Sequence, residues 1–333
     1  MKNFTRRFVV AAAAAVVGTM SMIGVGQAQD DKTIRIGLQP APLIGYIVKE
    51  KQLLEKRGYK PEWSVFPFSP PIIEGMAAGS IDVALLGLGP VLSVAQRDAG
   101  IWYIYDELAN AAQFIVQADS GINGPQDLKG KKVAFPGKSS QLYAQLMIYL
   151  AGSGVTENDM ELVRVNASDM NTLFDRKEVD AALAWPPFTS EPLRTGKAKM
   201  LFTADDLFKG KGDHWLNSGW GARKDFAEKN PAAVIALVES LHEATRFMRE
   251  QPEEAYKILS AASGYSLEAT SYMLEQKLST HYDPEITAPS ADDIIKIFDI
   301  LVKNNVVKDE GGAEAKIRSI VHPEFVEQVL GKK

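Results

Sequence analysis

Residues 133–143 read VAFPGKSSQLY, and Gly137-Lys138-Ser139 has the makings of the end of a phosphate-binding P-loop: amides to wrap the phosphates, a lysine to neutralise them and a hydroxyl. A P-loop also needs a glycine five positions before Gly137, where the backbone must bend, and that position is Lys132. What survives is a short apolar run, a Pro-Gly turn and a Ser-Ser pair opening an apolar-periodic stretch. Free amide donors at such a helix start suit a small anionic or polar group better than a nucleotide.

Other catalytic patterns are missing. The histidines His214, His242, His281 and His322 are scattered, with no second histidine four residues on and no carboxylate at metal-ligand spacing, so they read as surface or capping residues. There is no Gly-x-Ser-x-Gly, and Gly87-Leu88-Gly89-Pro90 puts proline where a dinucleotide-binding helix would start. The acid pairs Asp205-Asp206, Glu253-Glu254 and Asp292-Asp293 lie in polar or helix-start settings and read as solvated or dipole-facing groups. The chain has no cysteine, which leaves out disulfides, thiol catalysis and an N-terminal lipid anchor. No metal and no cofactor is expected.

The elements that would hold a ligand alternate. Apolar strands at Thr33–Gln39, Glu62–Phe66, Ile81–Gly87, Lys132–Phe135, Leu162–Val165 and Val179–Trp185 are separated by helical stretches at Leu43–Arg57, Ile72–Ala78, from Ser140, and near Met170–Arg176, which predicts parallel α/β sheets. GSIDVALLGLGP (79–90) and KEVDAALAWPP (177–187) repeat one pattern, an aspartate, an apolar strand and then Gly or Pro, with Asp82 and Asp180 98 residues apart. Two lobes of one architecture would show this echo. The last third is helical, with Asn230 expected to cap a helix at Pro231 and Ser290 another whose buried stripe is Ile294, Ile297, Phe298 and Leu301.

Parallel sheets bind ligands beyond the carboxyl ends of their strands. Those loops are Gln39-Pro40-Ala41-Pro42, Phe68-Ser69-Pro70-Pro71, Leu88-Gly89-Pro90, Gly137–Gln141 and Trp185-Pro186-Pro187-Phe188. Each is stiffened or bounded by proline and carries small, polar or aromatic residues, as a pre-formed pocket for a small molecule would. Trp185, at a strand end, can be a core aromatic or a stacking surface for a ligand; both readings stay open.

The N-terminus gives an address. Lys2, Arg6 and Arg7 precede the apolar run Phe8–Ile23 and the small residues to Ala28, the form of a secretory signal peptide. Cleavage after Ala28 would move the formal net charge from −5 to −8, so nucleic acid and anionic membranes are poor partners.

Five segments in order, IRIGLQPA (34–41), AAGSIDVALLGLGP (77–90), INGPQDLKGKKVAFP (122–136), VDAALAWPPF (179–188) and SGWGARKDFAEKNP (218–231), carry a resemblance that spans most of the chain after residue 28. The sequence resembles the periplasmic solute-binding proteins of the nitrate/sulfonate/taurine group of ABC importers, which are similar also to thiamine-precursor binders. The resemblance implies a two-lobed α/β fold with crossovers near residues 107–118 and 212–222: residues 29–110 and 222–333 as lobe 1, 111–221 as lobe 2. It implies a monomer in the periplasm that holds a small organic anion and passes it to an inner-membrane ABC permease. Carried over by position, Gln39, Leu88-Gly89-Pro90, Ser139-Ser140-Gln141, Trp185 and Asn217 to Trp220 would line the cleft, joined by Pro40 and Ser69 from the loops above, with Tyr143, Trp185 and Phe188 covering an apolar part. Taurine binders carry a Ser-Ser pair where this chain has Leu88-Gly89, which removes two hydroxyl donors and puts a bulkier or partly aromatic anion on an equal footing with taurine. Lys138 is a possible electrostatic substitute. The rival reading is a cleft enzyme of the same fold, desulfinase-like or thiamine-precursor-synthase-like; a periplasmic partner of a two-component sensor is a further one.

Overall fold

The computed structural model describes residues 32–41, 43–97, 100–109, 112–138, 140–166, 169–203, 206–207, 216–275, 288–303, 305 and 307–331. The expected signal peptide, Pro42 and Ser139 lie outside them.

Among the described residues there are two five-stranded sheets. The first is built from β1 (Thr33–Leu38), β2 (Lys60–Val65), β3 (Val83–Gly87), β4 (Ile101–Ala109) and β10 (Leu216–Arg223), in the order β2-β1-β3-β10-β4. The second is built from β5 (Gln113–Gln117), β6 (Lys132–Phe135), β7 (Glu161–Arg164), β8 (Ala181–Ala184) and β9 (Ala198–Thr203), in the order β7-β6-β8-β5-β9. The two orders are one topology used twice. In each, the fourth strand runs antiparallel to its neighbours: β10 between β3 and β4, and β5 between β8 and β9. Leu216–Arg223, placed by the sequence mostly in a crossover, is thus a strand of the first sheet.

The aspartate echo has a physical basis. Asp82 accepts the Arg35 backbone N–H at 2.9 Å, and its own amide donates to the Arg35 carbonyl at 2.8 Å. In the second sheet Asp180 accepts the Lys132 N–H at 2.9 Å and donates to the Lys132 carbonyl at 2.9 Å. Each aspartate locks a central strand to its parallel neighbour at the amino end, and so fixes where the carboxyl ends emerge.

The helices are α1 (Ile44–Glu50), α2 (Ser69–Ala77), α3 (Leu88–Ala95), α4 (Gln141–Leu150), α5 (Met170–Asp175), α6 (Ser190–Arg194), α7 (Lys224–Lys229), α8 (Pro231–Glu250), α9 (Pro252–Ser263), α10 (Leu267–Glu275), α11 (Ala291–Lys303), α12 (Ala313–Ile320) and α13 (Glu324–Leu330). The first is shorter than the pattern predicts: Gln52 adopts φ +53° and the chain continues as a 3₁₀ turn over Glu55–Arg57 before the left-handed Gly58. Asn230 does not cap α8 through its side chain. The amide instead donates to the Phe226 carbonyl at 3.3 Å, because one residue separates α7 from α8 and the open carbonyl of the preceding helix lies closer. The expected stripe of α11 is buried, and Ser290 Oγ accepts the Asp293 N–H at 3.3 Å. No helix of the described residues is long and apolar enough to cross a membrane.

Candidate ligand-binding site

The carboxyl ends of the two sheets meet. Helix α3 leaves the end of β3, α4 follows the end of β6, and the two helices touch. Their apolar residues Leu88, Val91, Leu92, Leu142 and Leu146 belong to one buried cluster that runs from the first sheet to the second.

On the first sheet, a backbone amide and a side-chain amide converge on one hydroxyl. Ser69, at the first residue of α2 and 5% exposed, receives the Gly87 N–H at 2.9 Å and the Gln39 Nε2 amide at 3.3 Å. Gln39 also donates to the Leu85 carbonyl at 3.2 Å, and its own carbonyl accepts the Tyr46 hydroxyl at 2.9 Å. With Ser69 Oγ accepting twice, its O–H remains to donate, and the Gln39 Oε1 remains to accept. Pro90 lies against Gly87: a Cβ placed there would be 3.6 Å from the proline Cδ. Pro40 is exposed and Gly89 half-buried.

On the second sheet, Gly137 sits at φ +136°, a region open to glycine, and the chain turns into α4. Ser140 is the N-cap: its hydroxyl donates to the Gly137 carbonyl at 2.6 Å and accepts the Tyr143 N–H at 3.3 Å. The amides of Gln141 and Leu142 in the same first turn have no helical acceptor. Lys138 is bound to Glu157 at 2.7 Å, and Tyr143 donates its hydroxyl to the same carboxylate at 2.7 Å. The lysine and the tyrosine together hold Glu157 below the usual carboxylate range, while burial and then Glu157 push Tyr143 up to about 12.

Aromatic rings pack away from the end of β8. The half-buried Trp185 stands edge-on to Phe188 at 5.4 Å, and Phe188 edge-on to Tyr265 at 5.0 Å. Burial raises the Tyr265 pKa, and the nearby Tyr46 adds to it. The ring contacts thus run from Trp185 at the end of β8 through Phe188 to Tyr265.

The expected residues separate accordingly. Gln39, Ser69 and Pro90 gather at the first sheet, and Ser140, Tyr143 and Trp185 at the second. Three are placed elsewhere than a cleft wall. Trp220 is wholly buried in the core behind the first sheet, where its ring fills the space above Gly45 and its indole N–H donates to Glu107; the alternation along β10 puts that side chain on the face packed against α1. Leu88 is 1% exposed and packs in the shared cluster, and Phe188, 3% exposed, backs Trp185 rather than covering anything itself. Ser139 lies outside the described residues, as do the side chains of Gln141 and Asn217.

Tyr265 had no signal in the sequence beyond following the left-handed Gly264 at the end of α9. Gln145 was missed too. It is wholly buried on α4 and its amide has no partner among the described residues; a glutamine amid the apolar LYAQLMIYL was the available clue.

The NMT1/THI5-like family model matches residues 70–255, more than half of the chain. The chain belongs to the NMT1/THI5-like family. A Bacillus subtilis (strain 168) relative named for aliphatic sulfonate binding is 30% identical over 260 residues, 74% of this chain and 75% of that one. The crystal structure of the periplasmic aliphatic sulphonate binding protein of Escherichia coli superimposes with a TM-score of 0.71 at 26% identity, over 87% of this chain and 92% of that one. The two-lobed periplasmic-binding-protein fold of such structures is the fold of this chain. A desulfurization enzyme shares it at 17% identity and a TM-score of 0.65, over 90% of this chain and 99% of that one, a likeness of fold alone.

Proposed function

We propose that this protein is the periplasmic binding component of an ABC importer and holds a small organic anion, an alkyl or aryl sulfonate or a close relative, between its two lobes. The carrying observation is the Ser69 hydroxyl, which accepts from Gly87 and Gln39 and keeps its own proton for a ligand; the capped start of α4 adds amide donors at the end of the second sheet. Such a set of neutral donors grips an acidic head without transferring a proton to it. The half-buried Trp185 edge supplies an apolar face for the organic part. The lobes are assigned as the first sheet with the C-terminal helices and, for the second, the stretch from β5 to β9. Closure is a hinge motion about the strands that link the lobes, driven by contacts that form only when both lobes hold the ligand. The family and the sulfonate-named relative support the choice of anion. Replacing the Ser-Ser donors of taurine binders, Leu88-Gly89 offers backbone amides alone, which favours ligands bulkier than taurine.

Calorimetric titration with taurine, 1-butanesulfonate, benzenesulfonate, benzoate and nitrate tests this, with mass spectrometry of the ligand after incubation. One equivalent bound and recovered unchanged is the expected result. A chemically altered ligand would establish the enzyme reading instead, and no binding across the panel would refute the proposal.

A further inference from the structure

Of the cations beside the loop that opens α4, Lys138 is occupied by Glu157. The other is Arg164, the last residue of β7, paired across the sheet with Phe135. Its guanidinium lies against the bare backbone of Gly137: a Cβ built there would stand 3.4 Å from Arg164 Nε and 3.9 Å from Cζ. Those are ordinary van der Waals distances, so the arginine packs on this turn, and the φ of +136° is what disfavours a side chain at residue 137.

Several other arginines among the described residues are matched by acids. Arg35 and Arg223 close on Asp82, Arg57 on Glu239 and Glu243, Arg194 on Glu191, and Arg318 on Asp292 and Glu314. Arg164 is exposed and, among the described residues, makes no ion pair and no side-chain hydrogen bond. It stands next to a helix start whose dipole is also positive, an arrangement that repels another cation and attracts an anion. An unmatched guanidinium at the carboxyl end of the second sheet has the flat, two-pronged geometry that sulfonate and carboxylate oxygens fit.

We propose that Arg164 is the charge that selects an acidic ligand in this protein, pairing with the head group while the α4 amides hold its remaining oxygens. This rests on the binding reading above and names the residue that makes the ligand an anion.

The test is calorimetry on the purified protein with whichever of 1-butanesulfonate, benzenesulfonate, taurine and benzoate binds tightest, compared with 1-butanesulfonamide as an uncharged probe, at several salt concentrations. Arg164→Gln should raise the dissociation constant for the anion about 10–100-fold, the range for losing a charged hydrogen bond, and flatten its salt dependence. Arg164→Lys should recover part of the affinity and all of the salt dependence. The melting temperature of the ligand-free protein should stay put, since the side chain is exposed and unbonded. Arg194→Gln, which alters an exposed arginine paired with Glu191, should bind as the original does. If the unmutated protein binds the anion and Arg164→Gln binds it as tightly with the same salt slope, the assignment is overturned and the binding reading stands. If the unmutated protein binds none of the anions, both are overturned together.

Discussion

Replacing Glu107 with glutamine should flatten the pH dependence of stability. The Glu107 carboxyl is 2% exposed and joins three elements: it accepts the Ile44 N–H at the start of α1 at 2.8 Å and the indole N–H of Trp220 on β10, while lying on β4 itself. Burial lifts its pKa from 4.5 to about 7, against the opposing pull of those two donors. A carboxyl whose pKa is higher folded than unfolded keeps its proton longer in the folded state. Stability is therefore full below about pH 4.5, falls as the pH climbs towards 7, and levels off above that. A gap of about 2.5 pH units at 1.36 kcal/mol each makes the fall on the order of 3 kcal/mol. Glutamine resembles the protonated acid, with one carbonyl acceptor and no charge to bury. At pH 5 the variant should trail by about 1–3 kcal/mol, because one of the two donors loses its acceptor, and by pH 8 it should have drawn level or passed. Neighbouring Asp106, also lifted by burial to about 8 and raised further by Asp293, gives both proteins a common slope, so the difference between them is the quantity to read. Urea unfolding followed by tryptophan fluorescence at intervals from pH 5 to pH 8 measures it. A difference constant within about 0.5 kcal/mol over that range would refute the reasoning.

Three other substitutions probe the frame and the site. Asp82→Asn removes the buried partner of Arg35 at 2.6 Å and Arg223 at 3.1 Å; it should lower unfolding free energy by about 3–5 kcal/mol in urea while leaving the ligand dissociation constant alone, since Asp82 lies at the amino end of β3. Ser69→Ala strips the shared acceptor from Gly87 and Gln39, and should cost about 1–3 kcal/mol in stability and weaken anion binding in calorimetry, with an undiminished affinity counting against the site. Gly219→Ala puts a methyl onto the Tyr103 hydroxyl and the Tyr105 carbonyl between paired strands, where backbone cannot give, so urea unfolding should show a loss of about 3 kcal/mol or more.

The sequence by itself determined the two-sheet alternation and its repetition. Strand and helix periods are local, and the Asp82 and Asp180 motifs each carry their own lock to a neighbouring strand, so the repeat is visible without knowing where the strands go. It also marked the loops at the strand ends from which a site is proposed, because prolines and glycines mark those ends. Which side chains in those loops face a ligand was decided only by tertiary structure. Trp220 and Leu88 look like lining residues from their position, yet the packing of α1 on one face of β10 and the cluster around α3 and α4 make them core. Lys138 looks like the free cation and is taken by Glu157, a residue from a later turn, while Arg164 looks like an ordinary strand end and is left unmatched beside Gly137. Charge pairing depends on neighbours distant in the chain, and periodicity along the chain carries no record of it.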